Sequence, residues 1–163
     1  MKRVSVVCLV FLVLASFVAL SNGSMVWVNP QLWDQDAIKL APSGPGYPVL
    51  AITEVIDGDT FEALLHIAPG LITAVDVRVA FPDKSYVDTP EMSGDCKDKG
   101  KEAQEAVLRL LASAHTIRVM FLSWDKYGGR WDCSVTIDGK IDLATWITDN
   151  ELTKADLCPE EQK

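Results

Sequence analysis

The sequence predicts a mainly β fold with added α-helices, a small five-stranded barrel. Three strand-like runs follow one another between short turns, then come a helical segment, two more strand-like runs and a second short helix. The chain has 163 residues, 48% of them hydrophobic, which suits one domain with a single buried core. This order is typical of a Greek-key barrel of the OB type with two to three helices. A sandwich or an open α+β sheet is the alternative.

Each predicted element has a local signal. In the third strand Val75, Val77 and Val79 alternate with polar residues, as on a strand with one buried face. In the first helix, apolar residues recur at three- and four-residue spacing. The predicted strands are 49–56, 60–67, 72–81, 116–122 and 131–137, and the predicted helices are 98–114 and 141–148.

The N-terminus reads as a secretory signal peptide. Lys2 and Arg3 precede an apolar run, and small residues follow it up to Ser24. We expect residues 1–21 to be removed, with cleavage possible as late as residue 23, which predicts a secreted or periplasmic protein without stable membrane association. An uncleaved leader that holds the protein at a membrane is the alternative. The remaining ranges are an irregular arm at 22–48, the domain at 49–157 and a disordered tail at 158–163.

The net charge is −8, and removing Lys2 and Arg3 makes it −10. Such an acidic chain lacks the broad basic surface of a general nucleic-acid-binding protein. A polyanionic substrate would have to be held locally, by a few arginines and a metal ion.

Three cysteines remain after the leader, namely Cys96, Cys133 and Cys158. In an oxidising compartment one pair is expected to form a disulfide, and the third is free or intermolecular. The sequence does not select the pair, and the spacing fits no zinc motif.

Two short acidic segments carry the candidate chemistry. The stretch Ile56-Asp57-Gly58-Asp59-Thr60 joins the first two strands through an Asp-Gly turn, and Asp88-Thr89-Pro90-Glu91 follows the third strand. Carboxylates delivered by two separate segments are the minimum of a site for a hard cation. Turn aspartates that accept backbone hydrogen bonds are the ordinary alternative.

Two arginines complete the pattern. Arg78 lies on the third strand, on the face opposite the valines, and Arg130 follows the stretch 125–129, Asp-Lys-Tyr-Gly-Gly. In this order the motifs resemble the staphylococcal nuclease (thermonuclease) family, with its signatures I-D-G-D-T, V-D-T-P-E and D-K-Y-G-R. The resemblance covers Val49 to Leu152. The first two motifs are intact, and the third contains one added glycine.

The resemblance implies a calcium-dependent enzyme that hydrolyses phosphodiester bonds of DNA and RNA, single-stranded or frayed, and leaves 3′-phosphate ends. Oxygen ligands suit Ca²⁺, an ionised glutamate can take a proton from water, and guanidinium groups can grip a phosphate in a bidentate way. We expect a monomer. A catalytically inactive OB-fold binding module is the alternative. The implied positions are Asp59, Asp88 and Thr89 for calcium, Glu91 for the general base, Arg78 and Arg130 for the phosphate, and Lys126 and Tyr127 for the nucleotide.

The chain departs from the family pattern between Arg78 and Asp88. Nine residues separate them, where the family usually has four. If the five extra residues loop away, Arg78 keeps its place. If the strand register shifts instead, Lys84 becomes the nearest basic substitute, with a point charge where a planar fork is wanted. The added glycine before Arg130 raises the same question in a loop.

Overall fold

The computed structural model describes residues 46–126 and 128–159. In these residues the strands form one closed barrel with neighbours in the order β3-β2-β1-β4-β5, and β3 closes the barrel by pairing with β5. The closing pair is parallel, and all other pairs are antiparallel. This confirms the predicted OB-like barrel with helices. The strands are β1 Tyr47–Val55, β2 Thr60–Ala68, β3 Leu71–Val79, β4 Ile117–Trp124, β5 Arg130–Ile137 and β6 Ile141–Asp142, and the helices are α1 Lys97–Ser113, α2 Leu143–Asp149 and α3 Lys154–Leu157.

The core of the barrel is built from alternate residues of its strands. Branched and aromatic side chains such as Phe61, Val77 and Val119 are fully buried, whereas their sequence neighbours are at least partly exposed or form part of the site described below. This alternation follows from the two-residue period of a strand. The polar residues of β2, β3 and β5 therefore lie together on the other face of these strands.

Helix α1 packs one narrow face against the barrel. Its buried residues are Gly100, Ala103, Val107 and Leu111, at spacings of three and four residues, as predicted. The amide side chain of Gln104 donates hydrogen bonds to the carbonyl oxygens of Val55 and Ile56, at 2.7 and 3.1 Å. The helix is thereby joined to the turn that carries Asp59.

Several predicted boundaries need correction. The first strand begins at Tyr47 rather than Val49, and the third ends at Val79, because Ala80 bridges to Tyr86. Residues 141–142, predicted as helix, pair with β5 as β6. Helix α2 begins only at Leu143, because the Asp142 side chain accepts a hydrogen bond from the Thr145 N–H and caps the helix.

The tail prediction was wrong for its first residue. Cys158 is buried and forms a disulfide with Cys96, just before α1, whereas Cys133 is free and buried in the core. The sequence left this pairing open. Residues 160–163, the leader and most of the predicted arm lie outside the described residues. Of the helices that the structure describes, none is long and apolar enough to cross a membrane.

Candidate functional site

Arg78 keeps the strand register that the sequence alternation predicted. The β2–β3 ladder runs without a shift from Thr60 opposite Arg78 to His66 opposite Ile72. At the end of the ladder the Val79 N–H donates to the Asp59 carbonyl oxygen at 2.8 Å. The backbone of the Asp59 turn and the strand that bears Arg78 are therefore directly bonded.

The extra residues after β3 form a small hairpin of their own. Ala80 bridges to Tyr86, and the Phe81 N–H donates to the Ser85 carbonyl oxygen at 2.9 Å. Lys84 lies at the exposed tip with a positive φ of 71°. Because the hairpin closes on itself, the chain returns to the barrel without shifting β3. The alternative in which Lys84 takes the place of Arg78 is wrong.

Arg78 and Arg130 meet at one buried carboxylate. Asp125 Oδ2 lies 3.5 Å from Arg78 Nη1 and 2.8 Å from Arg130 Nη2. The Asp125 side chain is 1% exposed, and the two arginine side chains are 20% and 33% exposed. We call these three residues the arginine cluster. Two permanent positive charges and one negative charge give these three side chains a net charge of +1.

The doubled glycine is accommodated in the β4–β5 turn. Gly128 and Gly129 both have left-handed backbone, with φ of 77° and 88°, which glycine adopts without steric cost. The Asp125 N–H donates to the Arg130 carbonyl oxygen at 3.1 Å and closes the turn. Arg130 thus remains paired with Asp125 despite the added residue.

Asp59 is the most strongly perturbed acid in the described residues. It is 5% exposed and accepts hydrogen bonds from the Thr60 hydroxyl at 2.9 Å and from the Thr89 N–H at 3.4 Å. Burial raises the pKa of its carboxyl group to about 8; a hydrogen bond and the negative charge of Asp57 add to the rise, and the Arg78 charge opposes it. The fold therefore places a carboxylate where its charged form lacks a sufficient positive partner.

The oxygen donors around Asp59 fit a hard cation. Thr89 packs against the Asp59 turn, and its hydroxyl oxygen is buried with no hydrogen-bond partner among the described residues. Asp88 adds a second, exposed carboxylate from the same segment. Carboxylate, hydroxyl and carbonyl oxygens are ligands that Ca²⁺ accepts, and a cation would relieve the unfavourable ionisation of Asp59. In residues 46–126 and 128–159, no three His, Cys, Asp or Glu side chains converge to hold a metal ion by themselves.

The segment Asp88-Thr89-Pro90-Glu91, which we call the acidic segment, is held by backbone contacts and by the buried side chains of Thr89 and Pro90. The Lys154 N–H donates to the Asp88 carbonyl oxygen at 2.7 Å. A Cβ atom on Gly100 of α1 would lie 2.3 Å from the Glu91 carbonyl oxygen, so only glycine allows this contact. Gly58 is similarly close to Thr89, with 2.9 Å for a hypothetical Cβ.

The predicted site residues are brought together only in part. Asp59, Thr89, Arg78 and Arg130 lie in one connected network with the arginine cluster. The side chains of Asp88 and Glu91 are exposed and form no hydrogen bond or ion pair within the described part of the chain. Lys126 is exposed on the β4–β5 turn, and Tyr127 lies outside the described residues.

Sequence reasoning missed three participants in this network. Asp125 was treated only as a letter of the Asp-Lys-Tyr-Gly-Gly stretch, although its position before that turn could have indicated a partner for Arg130. Tyr86 and Asp132 carried no motif signal. The Tyr86 ring packs against the Arg78 guanidinium group, whose central carbon lies 4.9 Å from the ring centroid. The Tyr86 hydroxyl group donates a hydrogen bond to Asp132 at 3.2 Å.

No protein-family model matches this chain, and no curated protein matches it. The resemblance to the staphylococcal nuclease family therefore depends on the three sequence motifs alone.

Proposed function

We propose that the protein is an exported, calcium-dependent nuclease of the staphylococcal nuclease type, which hydrolyses phosphodiester bonds of DNA and RNA to products with 3′-phosphate ends. The observation that carries the proposal is the meeting of Arg78 and Arg130 at Asp125, beside the buried Asp59. These arginines come from strands far apart in the sequence. A shared partner at one edge of the barrel is the arrangement that a two-arginine phosphate site requires.

Arg78 and Arg130 bind the scissile phosphate. Each guanidinium group offers several fixed donors that match phosphoryl oxygens, and the incomplete neutralisation by Asp125 leaves charge for an anion. Negative charge grows on the phosphoryl oxygens in the transition state, so donors held in advance lower the barrier more than they strengthen ground-state binding. Asp125 keeps both side chains in place before substrate arrives.

Asp59, Asp88 and an oxygen of Thr89 would hold a calcium ion. A bound calcium ion would supply Lewis-acid stabilisation of the charge on the phosphoryl oxygens. The unfavourable ionisation of Asp59 supports this assignment, because a carboxylate of this kind gains most from a cation.

Glu91 acts as the general base that takes a proton from the attacking water. It is an exposed carboxylate on the acidic segment, and its backbone is held against α1 by the close approach of Gly100. Its side chain can reach a water at the surface without first breaking an ion pair in the described structure. Lys126 and Tyr127, which precede Arg130 in the sequence, contact the nucleotide.

A cleavage assay tests the proposal. A 5′-labelled single-stranded DNA oligonucleotide and a matching RNA are incubated with the purified protein in Ca²⁺, in Mg²⁺ and in chelator. We expect cleavage only with Ca²⁺, and products that a 3′-end-extending polymerase cannot use until a phosphatase has removed the terminal phosphate. Cleavage that persists in chelator, or products with free 3′-hydroxyl ends, would contradict the proposal.

The general-base assignment has its own variant. Glu91→Ser should lower turnover by about 10²- to 10⁴-fold, because the proton of the water then has no acceptor. Glu105→Ser is the matched control, since Glu105 is an exposed glutamate of α1 whose contact is an ion pair with Arg109. Equal activity of Glu91→Ser and Glu105→Ser would remove Glu91 from this role.

A catalytically inactive binding module is the second candidate. It is favoured by the pairing of both arginines with Asp125, which partly neutralises them, and by the acidic net charge. In that case the protein would remain folded and bind single-stranded DNA or RNA without cleaving it. Glu91→Ser would then leave this binding unchanged.

The cellular location and the oligomeric state of the protein are tested separately. We propose export with removal of residues 1–21 and a monomer in solution. Mass spectrometry of the exported protein distinguishes the cleaved form from a membrane-held form that retains the leader, and light scattering measures the oligomeric state.

A further inference from the structure

Tyr86 lies directly after the extra hairpin of residues 80–85 and covers the Arg78 guanidinium group. The central carbon of the guanidinium group is 4.9 Å from the ring centroid, which is within the range of a cation–π contact. Arg78 Nε is buried and has no hydrogen-bond partner in residues 46–126 and 128–159, so no donor–acceptor pair within this part of the chain fixes that edge of the side chain. Packing against the ring and the contact with Asp125 are the described restraints on this guanidinium group.

Asp132 holds the Tyr86 ring in place through a hydrogen bond from the Tyr86 hydroxyl group. Its side chain is fully buried, and its Oδ2 atom accepts hydrogen bonds from the Tyr86 and Ser123 hydroxyl groups, both at 3.2 Å. Its Oδ1 atom is buried without a partner among the described residues. Asp132 is also the register partner of Arg78 in the parallel β3–β5 pair. A fully buried carboxylate bonded to two neutral hydroxyl groups is costly for the fold, which suggests a function for it.

The protonation of Tyr86 agrees with this arrangement. The negative charge of Asp132 raises the pKa of the Tyr86 hydroxyl group, and its desolvation and hydrogen bond add to the rise. The hydroxyl group therefore keeps its proton at neutral pH and remains a donor to Asp132.

We propose that Tyr86 is a positioning residue for Arg78 and that Asp132 is the buried anchor that holds the Tyr86 ring in place. An arginine side chain loses rotamer freedom when it is fixed, which costs free energy. Tyr86 fixes it in the folded protein before substrate arrives, so the phosphate meets a donor group that is already oriented. The extra hairpin is then part of the site, because it delivers Tyr86. The catalytic consequence rests on the proposed function, whereas the positioning itself does not.

The test combines kinetics with a measurement that does not need activity. Tyr86→Leu removes the ring, Tyr86→Phe keeps the ring but removes its anchor, and Lys84→Ala is the control within the same hairpin. We expect kcat/KM to fall about tenfold to a hundredfold for Tyr86→Leu, mainly in kcat, and less for Tyr86→Phe. Lys84→Ala should match the wild type.

The independent measurement is the NMR signal of the Arg78 Nε–Hε group, assigned by its loss in Arg78→Lys. In the wild type we expect a ring-current shift from Tyr86, which Tyr86→Leu abolishes and Tyr86→Phe weakens or broadens. The exposed Arg109 gives an internal control signal that stays in place.

The outcomes separate the two proposals. If the wild type cleaves no substrate, the nuclease proposal fails, and the Arg78 signal alone decides whether Tyr86 positions this side chain. An Arg78 signal that is unchanged in Tyr86→Leu overturns the inference. So does an active wild type whose Tyr86→Leu variant keeps full kcat although the signal has moved. A shifted signal together with a lower kcat supports it.

Discussion

The arginine cluster and the acidic segment are held in the fold in different ways. Arg78 and Arg130 lie on neighbouring strands that close the barrel, and both contact a carboxylate that is almost fully buried. The acidic segment lies on a connection, and its carboxylate side chains are exposed. It is held by backbone contacts with two helices outside the barrel and by the buried side chains of Thr89 and Pro90. The positive part of the site is therefore as stable as the sheet, and the acidic part is only as stable as α1 and α3.

The rigid part of the site suits the positioning of a phosphate, and the exposed part suits the exchange of a cation and water with solvent. A phosphate grip gains from rigidity, because donors must be oriented before the transition state forms. A cation and a water must enter and leave, which suits exposed ligands on a connection. Asp59 lies between the two parts: its backbone is bonded to β3, and its side chain is bonded to Thr89 of the acidic segment.

The largest predicted effect is the loss of stability when the Cys96–Cys158 disulfide, which supports the acidic segment, is removed. The bond joins the start of α1 to the end of α3, and α3 begins at Lys154, whose N–H holds the Asp88 carbonyl oxygen. Because the cysteines have a sequence separation of 62, loss of the bond should lower the free energy of unfolding by about 4 kcal/mol. Urea unfolding of the Cys96→Ser/Cys158→Ser variant measures this.

The two single cysteine variants are the control for the disulfide, since each breaks the same bond and should match the double variant. Activity measured where all variants are folded should also fall, because the acidic segment loses a support. An unchanged free energy of unfolding would show that the bond does not hold α1 and α3 together.

The pH dependence of stability tests the position of Asp59 between the two parts. Its carboxyl group has a pKa of about 8 in the folded protein and about 3.9 in an unfolded chain. Between these values the folded state binds more protons, so in chelator the contribution of Asp59 to stability is full below about pH 4 and is lost as pH rises towards 8. The slope is at most about 1.4 kcal/mol per pH unit.

Asp59→Asn isolates this contribution, because other groups also titrate in the same range. We expect the difference in unfolding free energy between wild type and Asp59→Asn to change with pH in chelator, and to flatten when Ca²⁺ is added. A difference that is independent of pH in chelator would mean that Asp59 titrates normally and that its burial has little electrostatic effect.

A substitution in the arginine cluster should act on chemistry more than on stability. Arg130→Lys keeps the charge but loses the planar fork, and we expect kcat to fall about 100-fold. Arg109→Lys, at an exposed position of α1, is the matched control. Calorimetry should show unchanged Ca²⁺ binding in Arg130→Lys. A loss of Ca²⁺ affinity equal to the loss of activity would show that the two parts of the site are not separate.

The sequence could predict the features that depend on local patterns, but not those that depend on contacts between distant residues. Arg78 was located correctly because strand alternation and register are local properties, and the barrel followed from the order of the elements. The partnership of Asp125 with Arg78 depends on the parallel β3–β5 pair, which joins residues far apart in the sequence and leaves no periodic signal. The disulfide and the Tyr86–Asp132 contact depend on the same kind of long-range packing. The roles of all the site residues stay predictions, and the side chains of Asp88 and Glu91 form no described contact that supports theirs.

The smallest predicted effect concerns the contact between α1 and the acidic segment. Gly100→Ala gains about 1 kcal/mol of helix propensity, but its Cβ would lie 2.3 Å from the Glu91 carbonyl oxygen, and the backbone must move. Overpacking of this kind costs about 1–3 kcal/mol, so the net loss of stability should be small. The relative loss of activity should exceed what the loss of stability explains, because the displaced residue is Glu91, the proposed base.

Lys101→Ala, exposed on the same helix, is the control. If Gly100→Ala is as active as Lys101→Ala, the position of the Glu91 backbone is not critical, and the acidic segment works as a mobile loop rather than as one held by α1.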